Sequence, residues 1–368
     1  SMYLRLKHHC PSGIAGSRQR RDGGPTLPAL RDELLERHYA AFDWQHGGPP
    51  GPIKFIDLHQ LELAAHLARA GDERAGTMVK RYVRGIECLV SQPETGAAHY
   101  ATGPAWNSPC GSRTLAGQAV VIQALVIAGR HARSCAHVRV VTQLARFVAT
   151  HWAEIKHGTV RPAGGAIGRA RICERAWYVS AIGAFAELYD NRPLRAAALA
   201  RFDRLASELC GANAEFRPPT HCLTLADRIA IATTASEFRT ATGGEAFMRY
   251  ARRLLIAGAS RHAHPAGGWI QAYRDGAPPD LDCSIELVRS ADALRDRAHP
   301  ELARIAIEGK RALFNPELAL ARMPESGLLL LLTDATGNPL PRRLAAPAGH
   351  RTARFAGNWH ELLVNTRK

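Results

Sequence analysis

Several features that would place this chain in another class of protein are missing from its 368 residues. It contains no run of 18 apolar residues, so the sequence predicts no transmembrane helix and no membrane partner. Aromatic residues make up only 7% of the chain, which argues against a β-sandwich, and eight cysteines are too few for a disulfide scaffold. The N-terminus lacks an apolar signal segment. We therefore expect a cytoplasmic protein, or a periplasmic one if a signal peptide was removed ahead of Met2.

Positive charge is in clear excess. The chain has 48 Lys and Arg against 33 Asp and Glu, a net charge of +15. Such a surface attracts anions, but the basic residues are spread along the chain, and the one dense cluster (Arg18, Arg20, Arg21) has no nucleic-acid motif beside it. We expect a small anionic ligand rather than nucleic acid. The oligomeric state is left open.

A helix that is apolar on nearly all sides, followed by a more charged helix, recurs along the chain. The apolar helix is expected to be buried on most sides, and the charged helix is expected to have one solvent-exposed face. An α/α toroid needs this alternation for its inner and outer rings, so we predict an all-α, six-hairpin toroid, with an open helical solenoid as the alternative. The predicted pairs are 54–70 with 73–90, 112–129 with 134–152, 171–189 with 193–210, 223–240 with 245–260, and 282–294 with 300–314. Residues 28–42 and 359–364 would form a sixth pair.

The chain is expected to form one toroid domain, residues 28–368, preceded by a basic flexible arm, residues 1–27. The domain includes an irregular C-terminal segment, residues 315–368. Long loops precede several of the apolar helices, at 91–109, 153–170, 211–221 and 261–280. In a toroid such loops gather over one mouth of the ring, where they would build a pocket.

Several loop–helix phrases resemble one known family. They are Phe42-Asp43-Trp44-Gln45-His46-Gly47-Gly48, Pro52-Ile53-Lys54-Phe55, Ala70-Gly71-Asp72-Glu73-Arg74-Ala75, His99-Tyr100-Ala101-Thr102, Leu225-Ala226-Asp227, Ala241-Thr242-Gly243-Gly244 and Gly267-Gly268-Trp269. Over roughly residues 38–335 the chain resembles the helical region of the thioredoxin-domain-containing, spermatogenesis-associated family. That region is similar to the N-acylglucosamine 2-epimerase-like, six-hairpin superfamily. The resemblance implies the toroid more firmly than any activity.

Two departures from that family limit what the resemblance implies. No Cys-x-x-Cys occurs, so the thioredoxin part of the family has no counterpart here. The family's Pro-His-Phe-Glu-Lys is replaced by Pro109-Cys110-Gly111-Ser112-Arg113, so Cys110 and Ser112 stand at its His and Glu positions. Chemistry that depends on that pair does not transfer to this chain.

Charged residues stand at the starts of the apolar helices, where unpaired burial would be costly. A polar pocket at that end of the ring would accommodate them. Proton transfer on a sugar needs one group that takes a proton and one that gives it. The candidate acids and bases are His59, Glu174, Asp227 and Asp282, with Glu286 beside the last. A structural interpretation instead treats the aspartates as helix caps.

Arginines and aromatic rings near the same helix starts are candidate ligand contacts. Arginine binds carboxylates and phosphates in a bidentate manner, and an aromatic ring offers a stacking face for a sugar. The candidate contacts are Trp106, Arg113, Arg171, Tyr178, Arg228 and Trp269, with Trp177 as a further stacking face.

Four cysteines recur at or just before the starts of successive apolar helices: Cys110, Cys173, Cys222 and Cys283. Helix N-termini favour the thiolate form, and converging thiolates bind zinc or copper(I). The alternative is that these cysteines are small packing residues.

The leading hypothesis is a carbohydrate-active enzyme of the epimerase/isomerase or hydrolase type. It would act on an acidic or phosphorylated ligand by acid/base chemistry and would need no cofactor. One alternative is a thiolate metal-binding or redox-active protein that uses the four cysteines with zinc or copper. The other is a non-catalytic binding scaffold.

Overall fold

The computed structural model describes residues 35–111, 113–151, 172–209, 223–239, 244–263, 269, 281–295 and 298–313. Most of them lie in five helical hairpins. In chain order these are α1 (Leu58–Arg69) with α2 (Glu73–Leu89), α3 (Leu115–His131) with α4 (Cys135–Thr150), α5 (Ile172–Leu188) with α6 (Arg192–Leu209), α7 (Leu225–Glu237) with α8 (Gly244–Arg261), and α9 (Leu281–Leu294) with α10 (Pro300–Leu313).

The five predicted hairpins are therefore confirmed, with bounds that differ by a few residues. The largest difference is at the first hairpin, which was predicted to begin at residue 54 but begins at Leu58. Asp57 caps α1, because its Oδ1 accepts the backbone N–H groups of His59 and Gln60 at 3.1 and 3.2 Å. Residues 35–40 are helical. Residues 28–34 and 359–364 of the predicted sixth pair, the arm 1–27 and the segment 315–368 lie outside the described residues.

A small antiparallel sheet precedes and follows the first hairpin, in the order β1 (Ile53–Lys54), β2 (Ala101–Thr102) and β3 (Ser108–Pro109). Ile53 pairs with Thr102, and Ala101 pairs with Pro109. The fully buried Lys54 Nζ lies 2.6 Å from the Asp43 carboxylate. Burial alone would raise the pKa of Asp43, but hydrogen bonds from Lys54 and from backbone N–H groups hold it well below its usual range. This pair fixes the loop that leads into α1.

The odd-numbered helices form the inner ring. They pack side by side in the order α1, α3, α5, α7, α9, and each also packs on the even-numbered helix that follows it. Inner helix α3 is surrounded by other helices on most sides. Its residues Val121, Ile122, Ala124 and Leu125 are all buried although they point in different directions. Side chains that connect α1 with α9 close the ring, as described below. The architecture is an α/α toroid.

Among the helices that the structure describes, none combines the length and the apolar character that a membrane span requires.

Candidate functional site

Four charged side chains meet where the first and last described inner helices, α1 and α9, face each other. Arg289 of α9 binds the Glu62 carboxylate of α1 with two nitrogens, at 2.7 and 3.1 Å. Its Nη1 also lies 3.0 Å from Glu286 Oε1, and the same oxygen is 3.0 Å from His59 Nε2. We call these four residues (His59, Glu62, Glu286 and Arg289) the seam cluster. They join positions 227 residues apart in the chain.

The seam cluster is half-buried but reaches solvent. The Glu286 side chain is 36% exposed, whereas those of His59, Glu62 and Arg289 are 14–15% exposed. Burial alone would raise the pKa of Glu286, but the Arg289 charge and the His59 hydrogen bond outweigh it and lower that pKa to about 2. The two carboxylates likewise raise the pKa of Arg289, against the opposing effect of burial. The cluster therefore holds two carboxyl groups around one guanidinium, with an imidazole at its edge.

The cluster continues along one stripe of α1. His59, Glu62, His66 and Arg69 are spaced three or four residues apart, so they lie on one side of the helix. Burial and the nearby Arg69 lower the pKa of His66 to about 4, although Glu62 acts in the opposite direction. His66 is therefore neutral at pH 7, and its Nδ1 lies 3.5 Å from a nitrogen of Arg69.

Charged residues from four inner helices also meet where those helices end. Arg69 and Arg130 stand in the last turns of α1 and α3, and Glu187 and Glu237 stand in the last turns of α5 and α7. Burial and the Arg130 charge lower the pKa of Arg69. Burial and the Glu187 charge raise the pKa of Glu237, although Arg130 acts against them. These mutual effects place each of the four charges within electrostatic range of at least one other.

Asp227, predicted as a catalytic acid or base, is a helix cap in the structure. Its Oδ2 accepts the backbone N–H and the hydroxyl of Thr224 at 3.0 and 2.8 Å, which completes a capping box at the start of α7. Its Oδ1 accepts the backbone N–H of Cys173 on α5 at 2.9 Å. Only 6% of Asp227 is exposed. Both oxygens accept hydrogen bonds from neighbouring backbone or from the Thr224 hydroxyl, which agrees with the structural interpretation of this residue.

Four predicted ligand contacts lie in the core instead of lining a pocket: Trp106, Tyr178, Arg228 and Trp269. Trp106 donates its Nε1–H to the carbonyls of His46 and Gly47 and packs against two glycines, so it fixes a loop. Trp269 donates to the carbonyl of Ala259. These four side chains fill space between helices and loops, and their role as ligand contacts stays a prediction.

The arginines predicted to bind the ligand also hold the fold together where the structure describes them. Arg228 is 2% exposed, and its Nη1 donates to the carbonyl of Leu254 on α8. Arg113 donates to the carbonyls of Thr95 and Cys110 at 3.2 and 2.5 Å, which ties the loop before α3 together. Arg171 lies outside the described residues. These bonds take donors that the prediction had assigned to an anionic ligand.

Two predicted acids remain as predictions. Glu174 is half-buried in the first turn of α5. Asp282 lies in the first turn of α9, but its side chain is outside the described part of the structure.

The predicted thiol cluster has no counterpart in the part of the chain that the structure describes. Cys173 and Cys283 are buried and Cys110 is half-buried. Within the described ranges, no three His, Cys, Asp or Glu side chains are grouped so that they could hold a metal ion. Cys222 lies outside those ranges. Cys110 precedes α3 by five residues, and Cys173 and Cys283 lie in the first turns of α5 and α9.

Sequence reasoning named His59, noted Glu286 and missed Glu62 and Arg289. The prediction examined only the starts of the inner helices. Glu62 and Arg289 lie further along α1 and α9, within otherwise apolar stretches. A charged residue in the middle of such a stretch is costly to bury without a partner. That cost was the signal that could have identified both residues.

Neither a protein-family model nor a curated protein matches this sequence. Solved structures with a similar fold are found. A cellobiose 2-epimerase from Bacillus thermoamylovorans B4167 is 10% identical, with a TM-score of 0.62 over 78% of this chain and 86% of the epimerase. A D-mannose isomerase is 13% identical, with a TM-score of 0.60 over 81% and 88% of the two chains.

A third similar structure is the GH76 α-mannanase BT2949 from Bacteroides thetaiotaomicron. It is 12% identical, with a TM-score of 0.51 over 77% of this chain and 84% of the mannanase. At such low identity these likenesses establish the shared α/α toroid, and they leave ligand and chemistry to the residues of this chain.

Proposed function

We propose that the protein is a carbohydrate-active enzyme of the epimerase/isomerase type, with His59 as the proton-transferring residue of the seam cluster. The observation that carries the proposal is the hydrogen bond between His59 and Glu286 within a charged, solvent-reaching cluster of the inner ring. The similar structures named above act on sugars, which supports the substrate class. The narrower resemblance to the spermatogenesis-associated family belongs to this proposal as well.

The charge state of the cluster favours proton transfer at carbon over glycosidic hydrolysis. Hydrolysis needs a carboxylic acid that donates a proton to the leaving oxygen. A carboxyl group with a pKa of about 2, such as Glu286, is ionised at neutral pH and cannot donate. Histidine titrates in the neutral range, so His59 is the member of the cluster suited to carry a proton.

Glu286 orients the imidazole for that task. When Nε2–H of His59 donates to the carboxylate, the basic lone pair is on Nδ1. In an aldose–ketose isomerisation, this base takes the proton from C2 of the open-chain sugar, which leaves an enediolate with its negative charge on O1. The proton of the O2 hydroxyl passes to O1, and the base returns its proton to C1, so the ketose forms with no redox partner. Epimerisation at C2 returns a proton to the opposite face of C2 and needs a second donor.

An acidic or phosphorylated sugar remains the proposed ligand class. Its support is the net charge of +15, which raises the local concentration of anions around the protein.

The test is turnover of a sugar panel in D₂O, followed by ¹H NMR. The panel contains neutral aldoses and ketoses, reducing disaccharides, uronic acids and sugar phosphates. We expect one class to lose the C2 proton signal and form an isomer. His59→Asn should lower kcat by about 10²–10³-fold, and Glu286→Gln should lower it about tenfold. Glu87→Gln, an exposed change on outer helix α2, is the matched control.

Other outcomes would identify the alternatives. Release of new reducing ends without C2 exchange would indicate a glycoside hydrolase. Turnover that is unchanged in His59→Asn would remove the seam cluster from the mechanism. No turnover of any sugar would favour the non-catalytic scaffold, and bound zinc or copper in the purified protein would reopen the thiolate alternative.

A further inference from the structure

Helix α5 is covered by other helices on three of its sides. On the outer side, Arg175 and Val179 line a surface depression together with Arg201 of α6. On a second side, the hydroxyl of Thr234 on α7 donates to the carbonyl of Ala176 at 2.9 Å. On the third side α3 packs along the helix. The fourth side, opposite α6, faces the interior of the ring.

Trp177 lies on that fourth side. It follows Arg175 by two residues, so at about 100° per residue it points about 160° away from the outer helix. Its side chain is 37% exposed. Among the described residues, Trp177 and Ile307 are the exposed large hydrophobic side chains, and Ile307 lies on an outer helix. An indole that remains open to solvent on an inner helix indicates space next to it in the ring.

Helix counting and the ring order place Trp177 and the seam cluster at about the same height and on opposite sides of the ring. The ring order places α5 midway between α1 and α9, so the seam is across from it. His59 precedes Arg69 by ten residues, and Trp177 precedes Glu187 by ten, which is about 15 Å in each helix. Arg69 and Glu187 belong to the group of charges that meets where the inner helices end.

We propose that Trp177 is the stacking platform of the sugar site and that the ligand binds as a cyclic carbohydrate, a pyranose, whose apolar C–H face packs on the indole before the ring opens for proton transfer. The proposal rests on the proposed function, because the opposite face of the sugar then points toward His59 and Glu286. An apolar ring beside polar groups on the far wall is the arrangement that recognises an amphipathic ligand. Trp177 is a binding residue in this proposal, and the seam cluster carries the chemistry.

The experiment combines tryptophan fluorescence with steady-state kinetics on the sugars of the same panel. We expect a pyranose sugar to change the fluorescence of the wild type and of Trp44→Phe but not that of Trp177→Phe. Trp44 is the matched control because it packs near Arg74 of outer helix α2. For Trp177→Ala we expect KM to rise about tenfold with a smaller change in kcat, because the ring contributes binding more than chemistry.

The outcomes separate this proposal from the proposed function. If a sugar is turned over and Trp177→Ala leaves KM unchanged, the platform is wrong while the enzyme remains. If no sugar is turned over but a sugar alters only the Trp177 signal, the platform stands and the proposed chemistry fails. If no sugar is turned over and none alters the fluorescence, both proposals are overturned. A signal that persists in Trp177→Phe also overturns the platform.

Discussion

The start of α7 and the seam between α1 and α9 each place a carboxylate on an inner helix, but they use it differently. Asp227 is buried, and both of its oxygens accept hydrogen bonds: one from the backbone N–H of Cys173, the other from the backbone N–H and hydroxyl of Thr224. Glu286 is bound only by ionisable side chains, His59 and Arg289, and reaches solvent. Partners fixed by the backbone cannot be exchanged for a ligand, whereas side-chain partners at a wet site can. The seam is therefore the better candidate for chemistry.

The largest effect should come from removing the Asp227 cap. Asp227→Ala leaves the backbone N–H groups of Thr224 and Cys173 without their acceptor, so we expect a loss of about 3 kcal/mol in the free energy of unfolding. Urea denaturation measures this. Asp227→Asn keeps one acceptor oxygen and should lose less. Asp203→Asn, an exposed change on α6, should be nearly neutral. A loss below about 1 kcal/mol for Asp227→Ala would contradict the role of this carboxylate in joining α5 and α7.

A smaller loss is expected when the seam loses its central cation. Arg289→Met leaves the carboxylates of Glu62 and Glu286 facing each other without a counter-charge. We expect a loss of about 2 kcal/mol at pH 7, below the value for a fully buried pair because the site is partly wet. Unfolding in urea at pH 7 and pH 5 measures it, and protonation of the freed carboxylates should reduce the loss at the lower pH.

The stability loss predicted for Arg289→Met can be checked with a control variant and with a variant that should restore stability. Glu36→Gln removes the exposed pair with Arg74 and should change stability by less than about 0.5 kcal/mol. Adding Glu62→Gln and Glu286→Gln to Arg289→Met should restore much of the lost stability. A triple variant no more stable than Arg289→Met alone would mean that packing of the arginine stem, and not its charge, holds the seam.

The smallest effect concerns His66, below the seam on the same stripe of α1. Its pKa is about 4 in the folded protein and 6.5 when unperturbed, so the unfolded chain takes up the proton first as pH falls. Stability from this residue is complete above pH 6.5 and is lost as the pH drops toward 4. Between pH 7.5 and 5.5 we expect His66 to account for a decrease of about 1 kcal/mol.

His66→Gln should flatten the pH dependence of the unfolding free energy by that amount. His151→Gln, at the end of outer helix α4, leaves His66 in place and serves as the control. Equal slopes for the wild type and His66→Gln would show that His66 takes up its proton as readily in the folded protein as in the unfolded one.

Local patterns in the sequence predicted the hairpins, because a hairpin depends on contacts between residues within one helix or across a short turn. The apolar α3 and the half-polar α2 reveal their places in the ring through their periodicity alone. Position in the chain also singled out His59. The seam could not be predicted, since Glu62 and Arg289 are 227 residues apart and their pairing depends on how the ring closes. The burial of Trp106 could not be predicted either, because it depends on the loop at His46 and Gly47.

The distance in sequence between the two sides of the seam also has a consequence for how the chain assembles. Each hairpin joins its two helices through a turn of only a few residues, such as residues 70–72 between α1 and α2, so every hairpin can form from local contacts. The contacts of His59 and Glu62 with α9 join positions 227 residues apart, with three hairpins between them. In a chain whose hairpins have not stacked, these contacts would bear the entropy of closing a long loop. We therefore expect the seam to close after the three intervening hairpins have stacked, with the oppositely charged side chains at its two edges drawing α1 and α9 together.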